Sequence, residues 1–133
     1  MQVKSLIVDI ETENSIFYEK IENPTLQDVL QSVDRLNGKD ITMLNLLCKE
    51  ENHLLCVGGG KEDYILFITF DNENFDSLCD ESKSSSKEKE LIIGGQLGEY
   101  PENLCNSKPE VIKAITYFFE TGKPNPALSW IKE

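Results

Sequence analysis

Ile41-Thr42-Met43-Leu44-Asn45-Leu46-Leu47-Cys48, then Lys49-Glu50-Glu51-Asn52, then His53-Leu54-Leu55-Cys56-Val57: two apolar runs around a polar turn decide the fold of this chain. Short apolar runs bounded by turn residues read as the two strands of a β-hairpin. Gly58-Gly59-Gly60 separates that hairpin from Tyr64-Ile65-Leu66-Phe67-Ile68-Thr69-Phe70, the strongest strand signal in the sequence, rich in β-branched and aromatic residues. Asp71-Asn72-Glu73-Asn74 reads as a further turn, with a weaker strand from Phe75 to Cys79. Strands joined by short turns pair antiparallel. The middle of the chain is therefore an antiparallel sheet.

Working outward, residues 3–10 make a first strand. Asn23-Pro24-Thr25 opens a helix, and Thr25 with Asp28 resembles a capping box, although Asp is shorter than the usual Glu or Gln. Leu26, Val29, Leu30, Val33 and Leu36 fall at helical spacing along one face. Asn37-Gly38 ends the helix, with glycine free to turn left-handed. Residues 82–87 (Ser-Lys-Ser-Ser-Ser-Lys) form a low-complexity loop too short to separate domains. Residues 89–93 are expected to complete the sheet. In the last helix, Ser107 and Glu110 spell a capping box and Pro109 lies in the first turn. Val111, Ala114, Ile115 and Phe118 line its inner face, Phe119 lies at the margin, and Gly122 and Pro124 end it. The order predicts an α+β domain over residues 1–133: a mostly antiparallel sheet of about six strands with two helices packed on one face.

Twenty-four acids against thirteen bases leave a net charge of −11. That argues against direct binding to nucleic acid or anionic lipid, both of which need Lys and Arg to neutralise phosphate. Arg35 is the only arginine. The surplus suits solubility, and it equally suits a basic protein partner, whose encounter it would speed. No window holds 18 consecutive apolar residues, and Met1-Gln2-Val3-Lys4-Ser5 lacks the regions of a signal peptide. Cytoplasmic residence is the expectation. Cys48, Cys56, Cys79 and Cys105 are spaced too widely for a zinc site. They read as reduced thiols, with those inside strand runs behaving as small apolar side chains.

Catalytic patterns are thin. Gly58-Gly59-Gly60-Lys61 is followed by Glu62 and Asp63, which would repel phosphate, so it reads as a tight turn rather than a P-loop. His53 is the only histidine, and any Ser-His or Cys-His pair would have to use it. Glu50 and Glu51 lie beside it, and a solvated strand end is its plain reading. Asp71, Glu73, Asp76, Asp80 and Glu81 lack the glycine and distant glutamate of a calcium loop, so they read as a solvated acidic rim. No metal or cofactor is expected.

The remaining pattern is an ordered set of short motifs. It comprises Asn23-Pro24-Thr25, Val57-Gly58-Gly59-Gly60, Ile93-Gly94-Gly95-Gln96 leading to Glu99-Tyr100-Pro101, and Phe118-Phe119-Glu120-Thr121-Gly122 leading to Ser129-Trp130. Over residues 23–131 this set resembles immunity protein family one of bacterial polymorphic toxin systems, whose members inhibit deaminase-fold toxins. The resemblance implies a stoichiometric, non-enzymatic inhibitor that covers the active site of a cognate toxin domain. Within it, Asp71, Glu73, Asp76, Asp80 and Glu81 are the first candidates for toxin contact. Glu99 with Tyr100 is the second, because a carboxylate beside an aromatic suits Arg or Lys. Gly94 and Gly95 read as a bulge or tight bend and Pro101 as a stiffener of the turn. Trp130 is left as either a core plug or an interface anchor. The rival reading is an acidic chaperone or adaptor for a basic secreted protein.

Overall fold

A computed structural model describes residues 3–132; Met1, Gln2 and Glu133, which the expected domain also takes in, lie outside the described residues. The chain is an α+β fold. Its strands are β1 (Val3–Glu11), β2 (Ile16–Glu22), β3 (Ile41–Cys48), β4 (Leu54–Gly60), β5 (Asp63–Thr69), β6 (Phe75–Cys79), β7 (Glu88–Ile93), β8 (Gln96–Pro101) and β9 (Ser129–Lys132). Its helices are α1 (Leu26–Arg35) and α2 (Lys108–Thr121). Seven strands form one sheet in the order β2-β1-β3-β4-β5-β6-β9, and every neighbouring pair is antiparallel.

Both helices cover the same face of that sheet. Val29 and Val33 from α1 and Val111, Ala114, Ile115 and Phe118 from α2 share one core with Leu6, Val8, Leu44, Leu46, Leu55, Val57, Leu66, Ile68 and Leu78. In β3 the alternation is complete: Thr42, Leu44, Leu46 and Cys48 are buried, while Ile41, Met43, Asn45 and Leu47 are half-buried. The half-buried set of Met43, Asn45 and Leu47 points to the face without helices.

The capping box of α1 is present: Asp28 N–H donates to Thr25 Oγ1 at 3.1 Å, and Thr25 N–H to the Asp28 carboxylate at 2.9 Å. That of α2 is not, because Ser107 makes no side-chain cap and Glu110 pairs instead with Lys113 at 3.4 Å. Gly122 ends α2 in the left-handed region as expected.

Three strands lie outside the sequence expectation. β2 is an edge strand, exposed along its whole length, so it carries no inside–outside alternation. β8 contains Gly98 and Pro101, and β9 is only four residues long. Residues 89–93 do not complete the sheet. They pair with β8 in a separate two-stranded ribbon, and β9 takes the edge beyond β6. Gly94 (φ +60) and Gly95 (φ +80) are the two positive-φ residues of its tight turn, so the bend, not a bulge, is realised. Pro101 closes β8 opposite Glu88 and leads directly into a single 3-10 turn at Glu102–Leu104. The ribbon lies against the helix-free face: a Cβ on Gly58 would fall 2.5 Å from Ile93, and one on Gly94 3.4 Å from Met43. The triple glycine belongs to β4, and the reversal falls at Lys61-Glu62, with Lys61 at φ +66.

Candidate functional site

The five acids expected to cluster are divided between the two ends of β6. Asp71 and Glu73 lie in the β5–β6 turn, and Asp80 and Glu81 follow the far end of the strand. Five extended residues separate the two groups by about 17 Å. Their chemistry also differs. The Asp71 carboxylate accepts from Glu73 N–H at 2.9 Å, Asn74 N–H at 2.8 Å and Asn74 Nδ2 at 2.7 Å. These bonds, those from Asn74 foremost, hold its carboxyl at about 2. Asp80 accepts from the Ser82 backbone and hydroxyl, and Glu81 from the Ser129 hydroxyl. Asp76 points to the helix side, opposite Lys132 of β9. Asp71 and Asp80 shape local turns.

A pH dependence follows from Asp71. Its folded pKa lies below the ordinary 3.8, so its contribution to stability is present above about pH 4 and lost as pH falls towards 2. Asp71→Ala should therefore melt earlier than wild type at neutral pH, with the difference narrowing across that acid window in thermal melts. A constant difference from pH 7 to 2 would contradict the assignment.

Glu99 is exposed on β8, and half-buried Tyr100 lies against its own strand, its ring 3.2 Å from where a Cβ on Gly98 would stand. Trp130 combines both of its readings. It packs on the edge of the core, its indole N–H donates to the Asn125 carbonyl at 2.8 Å, and its half-buried ring lines a cleft. That cleft, about 820 Å³, opens at the C-terminal end of α2 between His53, Phe70, Tyr117, Pro124, Pro126 and Trp130. The His53 ring stands edge-on to Phe70 with centroids 5.0 Å apart, and its Nδ1 is 3.5 Å from Glu50. That exceeds the reach of a base held by its orienting carboxylate. Cys48 lines the same cleft, but burial, and then Glu50, push its thiol up to about 11. It is protonated at neutral pH and a poor nucleophile. Burial likewise lifts Cys56 to about 12, and all four cysteines are free.

The surface that the sequence reading missed lies on the opposite side. Among the described residues, four of the six exposed large apolar side chains are on β2: Ile16 and Tyr18 on the helix-free side, Phe17 and Ile21 on the helix side. Among the described residues, the outer edge of β2 has no strand partner. Beside it lies the helix-free sheet face, where Ile7, Leu47, Leu54, Phe67, Phe75 and Ile131 are all half-buried. Phe67 and Phe75 meet edge-to-face with centroids 5.4 Å apart. The ribbon covers only part of this face, around Gly58 and Met43. A signal was available. Ile16-Phe17-Tyr18 stands alone in a polar stretch, and apolar runs as continuous as β3 and β5 mark strands buried on both faces. Helices supply only one cover.

Among the described residues, no three His, Cys, Asp or Glu side chains are placed to hold a metal ion, and no helix is long and apolar enough to cross a membrane. Comparison with known proteins found no family model that matches the chain and no curated protein that matches it.

Proposed function

We propose that this chain is an immunity protein: a stoichiometric inhibitor that binds a basic, deaminase-fold bacterial toxin in the cytoplasm and covers its active-site mouth. One observation carries the reading. In a chain of net charge −11, the exposed apolar side chains of the described residues concentrate on one edge strand beside a largely apolar sheet face that the ribbon covers only in part. The Ile16-Phe17-Tyr18 half of that edge strand carries no charge, in contrast to Glu19-Lys20-Ile21-Glu22, and an open apolar edge segment invites pairing with another chain.

The charge selects the partner. A second copy would bring −11 against −11, whereas a basic domain gains attraction and faster capture. Deaminases acting on nucleic acid extrude the target base into a pocket beside a phosphate-binding channel. An acidic protein fits that channel as a phosphate surrogate, and the motif resemblance over residues 23–131 supports this partner class. Such an inhibitor needs no cofactor and no catalytic residue. An acidic chaperone for a basic secreted protein would use the same surface, but would leave its client active.

The test is co-expression with a basic deaminase-fold toxin domain, sought first in the gene next to this one. Cells should survive, and the two chains should purify as a one-to-one complex that retains no deaminase activity. Growth arrest without complex formation, from a folded chain, would overturn the reading. A complex that retains full toxin activity would favour the chaperone.

A further inference from the structure

Asp9 is a buried acid that no contact within the fold explains. It stands two residues from the end of β1 at 7% exposure, and no hydrogen bond or ion pair to its carboxylate occurs among the described residues, while its oxygens keep a narrow opening to the surface. Val8 and Ile10, on either side, face the helices and pack in or against the core. Asp9 therefore points to the helix-free face, directly opposite Tyr18 on β2 and Met43 on β3. Burial, and secondarily Glu11, raise its carboxyl above the ordinary 3.8.

Two neighbours complete the arrangement. Glu11 shares the face two residues along β1, and its carboxylate rests on the turn of the β7–β8 ribbon. A Cβ on Gly95 would fall 1.5 Å from Glu11 Oε1, so the glycine leaves the room that this carboxylate occupies. Tyr18 is 67% exposed beside Asp9. Directly opposed residues of an antiparallel pair keep their Cβ atoms about 5 Å apart. A largely covered carboxylate without a counter-ion, a second acid and an open aromatic ring are thus neighbours on the helix-free face.

A guanidinium satisfies all three at once: it forks onto carboxylate oxygens and stacks its plane on an aromatic ring. An ammonium supplies the charge without the fork or the stack. Resting on the inhibitor reading, we propose that Asp9, Glu11 and Tyr18 form the receptor for an arginine side chain of the basic partner protein. The chain cannot readily supply that arginine to a second copy of itself. Its only one, Arg35, is engaged by Glu19 on the helix side.

The probe is N-acetyl-arginine methylamide, titrated into isotope-labelled protein and followed by backbone amide shifts. Shifts should centre on residues 9–11, 18 and 95, be weaker with the lysine analogue, and vanish in Asp9→Asn/Glu11→Gln. Shifts spread evenly over the acidic surface, or retained in the double variant, would overturn the proposal. Should the double variant not fold, Tyr18→Ala, which removes an exposed side chain, should weaken the same shifts; no change would overturn the proposal.

The second arm uses the toxin domain proposed as the partner. Asp9→Asn/Glu11→Gln should weaken the complex by about tenfold or more, while Glu73→Gln in the distant turn leaves it unchanged. If the wild-type complex forms and the double variant binds equally well, the receptor is wrong and the inhibitor reading stands. If no wild-type complex forms while arginine still binds at Asp9, the inhibitor reading falls and the receptor stands.

Discussion

Phe118→Ala should cost about 3–5 kcal/mol of folding free energy, the loss typical of a large aromatic removed from a closed core. Phe118 is among the largest side chains with no exposure at all. It projects from α2 into the core shared by α1 and the helix-facing side of the sheet. Small domains have only about 5–15 kcal/mol in total, so this one truncation removes a large share. Phe118→Leu keeps most of the volume and should lose less than half as much. Denaturant midpoints compare the two. Equal midpoints for wild type and Phe118→Ala would mean that α2 is not the lid of this core.

Gly60→Ala should cost about 2–4 kcal/mol, from backbone strain and overlap together. Gly60 ends β4 at φ +136, where L side chains rarely fit. A Cβ there would lie 2.5 Å from Gly38 N, 2.7 Å from Asn37 N and 2.7 Å from the Leu36 carbonyl carbon. All three are backbone atoms, so no side-chain rotation relieves the clash. The α1–β3 connection docks on β4 at this point through the Asn37–Gly60 bridge. Gly38 is the control: its φ is +71, but a Cβ would find nothing nearer than 3.5 Å. Gly38→Ala should therefore cost only the left-handed penalty of about 1–2 kcal/mol. Thermal or denaturant unfolding should rank Gly60→Ala well below Gly38→Ala, and the reverse order would contradict the docking.

How much of this was legible follows from where each signal resides. β3, β4 and β5 are readable because their apolar runs are long and bounded by polar turns. α1 and α2 are readable because Val29, Val33, Val111, Ala114, Ile115 and Phe118 keep helical spacing against a single sheet face. β2 is not, because an exposed edge strand has no buried side to impose a period of two. The separate ribbon is not legible either. Its strands resemble any others, and only tertiary contacts such as Ile93 on Gly58 and Gly94 on Met43 show that they lie across the sheet.

The site was harder for a related reason. Acids close in sequence looked like one patch, yet β6 divides them, and turn hydrogen bonds occupy Asp71 and Asp80. The acids that share a face, Asp9 and Glu11, are hidden inside an ordinary strand pattern. Their significance depends on what opposes them across β2 and on the absence of helices above that face. Neither is visible without the sheet order. The carboxylate-beside-aromatic logic applied to Glu99 and Tyr100 finds a match with a more enclosed carboxylate in Asp9 and Tyr18.

The central claim is that the apolar edge and helix-free face of the large sheet are the surface that meets a basic partner. Amide hydrogen exchange of this chain, alone and with the basic toxin domain proposed as its partner, tests that claim most directly. The outward amides of β2 lack a strand partner and should exchange quickly in the free chain. In the complex, slowing should concentrate on residues 16–22, with Asp9, Glu11 and the strands that carry Leu47, Leu54 and Phe67. Slowing confined to α1, α2 and the cleft around His53 and Trp130, with residues 16–22 unchanged, would contradict it.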